Sequence, residues 1–122
     1  MNQRQKKFKE YRLLQKLDYK SRCGNKEGYV KIYPNNSFEH EKTKFEVAYY
    51  LKKQGFKIYT EGEFSRGGRG DIIAIKDGEG YIIEILHSED EKKFHNKELI
   101  YPTEFKIYKV YTKNFSIDSF KF

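Results

Sequence analysis

The chain holds a single cysteine, Cys23, and no tryptophan. A lone cysteine excludes an internal disulfide, so nothing in the sequence asks for an oxidising compartment. No apolar run approaches the length of a membrane span. The N-terminus is basic but lacks the apolar stretch of a secretory signal. A cytoplasmic protein with no membrane partner is therefore expected. Its 122 residues suit one small domain, with ten Phe and eleven Tyr to supply much of a modest core.

Positive charge is abundant but confined. Residues 1–33 carry ten Lys/Arg against three Asp/Glu, while residues 34–122 carry fifteen of each. The whole excess of +7 thus lies in the first quarter of the chain. A basic segment on a neutral body suits a polyanion such as nucleic acid, and equally a solvated helix face. Two regions follow: residues 1–36, a basic helix with an extended segment, and residues 37–122, a core with a short C-terminal tail.

The pattern predicts an α/β domain. Residues 3–17 place Phe8, Tyr11, Leu14 (with Leu13) and Leu17 near helical spacing. Residues 29–33 read as a short strand or extended piece. A second helix is expected over about 38–53, capped by Asn36 or Ser37 and ended near Gly55, with Phe45, Val47, Ala48 and Leu51 as its apolar stripe. Runs 56–64, 71–76 and 81–87 read as strands, the last two joined by an Asp77-Gly78 hairpin. Ser88 and Glu91 form a capping box for a helix over 88–99, and 105–112 reads as a last strand. The order from residue 37 is αβββαβ, a mixed central sheet flanked by helices. The crossover makes the last strand parallel to the one before it.

Two acids look out of place in the stretch GRGDIIAIKDGEGYIIEILHSE (68–89). Asp71 opens one apolar run and Glu84 sits inside the next. A carboxylate among isoleucines costs several kcal/mol without a compensating partner. Hairpin pairing brings the two acids near each other, and converging carboxylates suit a hard cation such as Mg²⁺. From spacing alone, Asp71 capping a turn and Glu84 pairing with a lysine explain them as well. Glu61 and Glu63 on the first strand are further acids, either metal ligands or a solvated edge. Arg66 and Arg69 flank glycines just before Asp71, a composition that suits phosphate oxygens or an ordinary hairpin loop. His87 falls on the strand face opposite Glu84 and reads as structural. Three scattered histidines and one cysteine make no zinc site.

GRGDIIAI followed by YIIEI, with YYLKKQGFKIY before them, resembles the PD-(D/E)XK nuclease superfamily, notably small archaeal Holliday-junction resolvases. The resemblance covers residues 37–112. It implies a metal-dependent endonuclease acting on DNA with Mg²⁺, or Mn²⁺ in its place, often as a homodimer. It makes Asp71 and Glu84 metal-binding catalytic acids, with Glu41 or Glu46 on the first core helix as a third ligand. Where the family places its lysine, two residues past the second acid, this chain has Leu86. That lysine positions water and steadies developing negative charge.

A replacement cation is sought in Lys44. His40, Lys44, Val47 and Leu51 are spaced i, i+4, i+7, i+11 and share the face turned toward the sheet. Lys44 is expected there as a catalytic residue whose charge can be removed without loss of the fold, although a lysine at a helix edge often just snorkels. Lys76, on the opposite strand face from Asp71, is a second choice. Arg4, Lys6, Lys7, Lys9, Arg12 and Lys16, with Arg66 and Arg69, are the expected nucleic-acid contacts. Leu86 keeps open a rival of another class: an inactive nuclease-fold protein that binds nucleic acid or a protein partner.

Overall fold

The computed structural model describes residues 2–17, 25–65, 67–87 and 100–122. Helix α1 spans Gln3–Leu14 and α2 spans Phe38–Lys53; the strands are β1 (Lys57–Glu63), β2 (Arg69–Lys76), β3 (Glu79–Leu86) and β4 (Lys106–Tyr111). The expected helix over 88–99, with its Ser88 cap, lies outside the described residues, as does Arg66. Among the described residues no helix is long and apolar enough to cross a membrane.

The sheet runs β1-β2-β3-β4. Strands β1, β2 and β3 are antiparallel neighbours, and β4 is parallel to β3. The fold is thus α/β with a mixed sheet. The β2–β3 connection is the expected tight turn: Asp77 and Gly78 have φ of 52° and 80°. Positive φ at both central residues matches the right-handed twist of the strands it joins. Ser37, rather than Asn36, caps α2 by accepting the His40 N–H at 3.1 Å. Gly55 ends that helix at φ 93°, a conformation a Cβ would disfavour.

Two apolar layers sandwich the sheet. Val47, Ala48 and Leu51 of α2 pack with Ile58, Ile72, Ala74, Ile83 and Ile85 on one face. Leu13 and Leu17 pack with Phe64, Ile73, Ile75, Ile82, Leu86 and Phe105 on the other. Strands covered on both faces explain the nearly continuous isoleucine runs. Each fully buried isoleucine contributes about 2 kcal/mol of hydrophobic stabilisation.

Two expectations need correction. Phe8 and Tyr11 are not part of the buried stripe of α1; both are exposed, and Leu13 and Leu17 carry the packing. Phe45 is likewise exposed, with its ring tilted toward that of Tyr49 at 6.0 Å between centroids. Residues 29–33 take the second of the two expected forms, an extended piece, hooked onto β1 where Thr60 Oγ1 accepts the Lys31 N–H and donates to the Tyr29 carbonyl, both at 2.8 Å. The short C-terminal tail packs onto the body: Phe120 joins the α2-side core and Phe122 packs edge-on against Tyr81.

Candidate active site

Three acids stand side by side on three neighbouring strands. The β1–β2 register pairs Thr60 with Ile72 and Gly62 with Gly70, which sets Glu61 opposite Asp71. The β2–β3 register pairs Ile72 with Ile83, so Glu84 lies one step on, opposite Asp71 from the other side. This register sets the Asp71 and Glu84 side chains beside each other on adjacent strands. Neighbouring buried carboxyls disfavour each other's charge, so a cation beside them or a shared proton stabilises the pair. Glu84 and Glu61 are 2% and 4% exposed.

Helix α2 supplies the groups that manage this charge. The His40 ring bridges two acids, with Nδ1 3.1 Å from Glu41 Oε1 and Nε2 3.4 Å from Asp71 Oδ2. Burial works against its imidazolium, but Asp71 and Glu41 outweigh that and raise its pKa above the ordinary value. Asp71 also accepts the Ile85 N–H at 2.8 Å. Burial pushes the Asp71 pKa up, yet His40, the Ile85 N–H and Glu84 together bring it below the usual carboxylate value. These partners favour the ionised form of Asp71.

Lys44, one turn after His40, is wholly buried. Its ammonium donates to the Lys31 carbonyl at 2.6 Å, to Glu41 at 2.7 Å and to Glu61 at 3.2 Å. All three donors are thereby used. Glu41 in turn accepts the Tyr33 N–H at 3.0 Å and the Asn36 amide at 2.8 Å. Burial opposes its charge, but Lys44, Tyr33, Asn36 and His40 lower its pKa to about 2. Glu61 goes the other way: burial and the Asp71 charge raise it despite Lys44 and Arg69. Glu61 also sits at φ 49°, a left-handed conformation that is rare for a non-glycine residue and concentrates at functional sites.

Two further side chains close the cluster. The Tyr101 hydroxyl donates to Glu84 and lies 2.9 Å from the Arg69 carbonyl. Burial, then the Glu84 charge, raise the Tyr101 pKa well above its ordinary value, so the hydroxyl keeps its proton. Arg69 pairs with Glu61 at 3.2 Å, stacks 4.2 Å from the Tyr33 ring centroid and donates to the Tyr33 hydroxyl. Its side chain remains 40% exposed.

The structure thus gathers Asp71, Glu84, Lys44, Glu41 and Arg69 from the residues expected by sequence. Glu46 does not join them. It lies 500° along the helix from Glu41, or 140° round the axis, and no hydrogen bond or ion pair ties it to the cluster among the described residues. Lys76 is also excluded, since it ends β2 opposite Glu79 and donates to the Gln54 carbonyl, far along the strand from Asp71. Lys44 is no edge lysine, and its contacts run to Glu41 and Glu61 rather than to the Asp71–Glu84 pair. Leu86 is buried in the α1-side core.

The expected nucleic-acid contacts divide. Lys6 turns toward the body and lies 4.0 Å from Asp77, and Lys16 pairs with Glu104 at 3.0 Å. Arg4, Lys7, Lys9 and Arg12 are exposed. His87 is held by Ser37 and Thr112, in keeping with a structural role. Sequence reasoning missed Tyr101 and Tyr33 and passed over the bridging role of His40. Only His40 carried a signal, its i, i+4 spacing to Lys44. No protein-family model matches the chain, and neither a curated protein nor a solved structure matches it.

Proposed function

We propose that the protein is a metal-dependent endonuclease that hydrolyses DNA phosphodiester bonds. The observation that carries this reading is the register that sets Asp71 and Glu84 side by side on adjacent strands, each carboxyl tethered by a dedicated side chain, His40 and Tyr101. Structural stability alone gives no reason to gather acids there. The strained φ of the neighbouring Glu61 points the same way.

Mg²⁺ fits this donor set. Among the described residues no group of three His, Cys, Asp or Glu side chains forms a ready-made metal cage. Mg²⁺ needs none, because it is commonly held by one or two carboxylates, waters and substrate phosphate oxygens. Asp71 and Glu84 would hold it, or Mn²⁺ in its place. When bound, the ion would supply an activated water and charge neutralisation at the phosphoryl group. His40 and the Ile85 N–H orient Asp71, and Tyr101 orients Glu84. Lys44, its donors saturated, neutralises Glu41 and Glu61. Arg69 has spare N–H donors and a partly exposed side chain, so it suits the oxygen that develops charge better than Lys44 does. In this reading the enzyme works in the cytoplasm, with a homodimer as the form taken by similar small nucleases.

The second reading is a nuclease-fold protein that binds nucleic acid without cutting it. It is favoured by Leu86 in the family's lysine position and by the full engagement of Lys44. Incubating the protein with labelled duplex, single-stranded and branched DNA in Mg²⁺, Mn²⁺ or EDTA separates the two. Cleavage that needs metal and is lost in Asp71→Asn is the expected result. Bound but intact DNA with every metal gives the protein to the second reading.

A further inference from the structure

Helix α1 is turned in a way that burial alone does not select. Its inward residues are Lys6, Glu10, Leu13 and, just past its end, Leu17, spaced i, i+4, i+7 and i+11. Lys6 lies 4.0 Å from Asp77, and Glu10 lies 4.0 Å from Lys57. The opposite face carries Arg4, Lys7, Phe8, Tyr11, Arg12 and Gln15, all exposed. Phe8 and Tyr11 are 62% and 60% exposed. The helix therefore turns its one acid toward the body and its two aromatics toward solvent. Arg4, Lys7 and Arg12 have no ion-pair partner among the described residues. Two exposed aromatics among unpaired cations mark an interaction surface rather than a solubilising one.

We propose that this outward face of α1 binds an unpaired nucleic-acid strand, with bases stacked on Phe8 and Tyr11 and phosphates on Arg4, Lys7 and Arg12. The inference rests on the nuclease reading only for the strand's role as substrate. Stacking needs a free base face, which an intact duplex does not offer. From Arg4 to Arg12 the helix rises about 12 Å, room for the two or three bases that paired aromatics take on other single-strand platforms. The polymer's charge complements a face without an acid. An anionic membrane surface would also attract the cations, but the three leucines of this segment that give apolar depth, Leu13, Leu14 and Leu17, pack into the protein. The face leads toward the candidate active site. Arg12 and Lys16 share the wall of a cavity of about 600 Å³ with Ser65, Gly67 and Tyr101, the residue that holds Glu84.

The test is fluorescence anisotropy of the full chain in EDTA, where no cleavage interferes, against a labelled twenty-nucleotide oligo(dT) and a blunt duplex of equal length. The single strand is expected to bind more tightly. Phe8→Ala with Tyr11→Ala should weaken it about tenfold or more with the thermal midpoint unchanged, since both side chains are exposed. Arg4→Gln, Lys7→Gln and Arg12→Gln together should flatten the single-strand salt slope by about two. Equal affinity for duplex, an unchanged Phe8/Tyr11 variant, or tighter capture by anionic lipid vesicles than by the oligonucleotide overturns the proposal. Tight single-strand binding without cleavage in any metal sinks the nuclease reading and leaves this one standing. Cleavage with unaltered binding in the variants does the reverse.

Discussion

Lys44 and Glu61 form an ion pair at 3.2 Å with both side chains almost wholly withdrawn from water. Removing one partner of such a pair leaves an uncompensated buried charge, at about 3–5 kcal/mol. Lys44→Met keeps the stem but leaves Glu61 with Arg69 alone and removes the first of Glu41's stabilising partners. It is therefore expected to destabilise the fold strongly, where the sequence suggested it would survive. A double variant, Lys44→Met with Glu61→Gln, should recover part of the loss. Urea midpoints at neutral pH check this; equal midpoints for wild type and Lys44→Met would show that the pair contributes nothing.

Glu41 sets the acid limit of the fold. Its folded pKa is about 2 against an ordinary 4.5, so the folded state binds fewer protons than the unfolded chain between those values. The stabilisation is fully present above about pH 4.5 and disappears as pH falls toward 2. Its size is about 3 kcal/mol at one pH unit per 1.4 kcal/mol. Glu41→Gln should already lack it at neutral pH and show a flatter stability profile below pH 4.5. Thermal midpoints from pH 7 to 2.5 measure both slopes, and parallel slopes would remove Glu41 as the cause.

How much of this was legible follows from which residues obey a simple period. The hairpin, the four strands and α2 were readable because isoleucine runs, the Asp77-Gly78 pair and the Val47–Leu51 spacing all point to one arrangement. Asp71 and Glu84 stood out because acids rarely interrupt such runs. Glu61 was left between metal ligand and solvated edge, since its positive φ, which no strand pattern announces, accompanies its burial. In α1, Leu13 and Leu17 lie on nearly the opposite side from Phe8 and Tyr11, so the sequence held two apolar faces and no means of choosing between them. Tyr101 reaches Glu84 from a separate stretch of chain with no periodic signal to announce it.

Tyr101 separates positioning from chemistry. Its hydroxyl donates its single proton to Glu84, so Tyr101→Phe leaves a buried acceptor unmatched at about 1–3 kcal/mol. The fold should persist, because the ring still packs against Phe64. If the hydroxyl holds Glu84 in place for a metal ion, the variant should need a higher Mg²⁺ concentration for half-maximal cleavage, on the order of tenfold to a hundredfold. DNA affinity measured in EDTA should not change. Asp71→Asn, by contrast, should abolish cleavage at every Mg²⁺ concentration. A Tyr101→Phe enzyme that loses stability but cleaves with an unaltered Mg²⁺ dependence would make Tyr101 a packing residue and leave Glu84 to be held by the sheet alone.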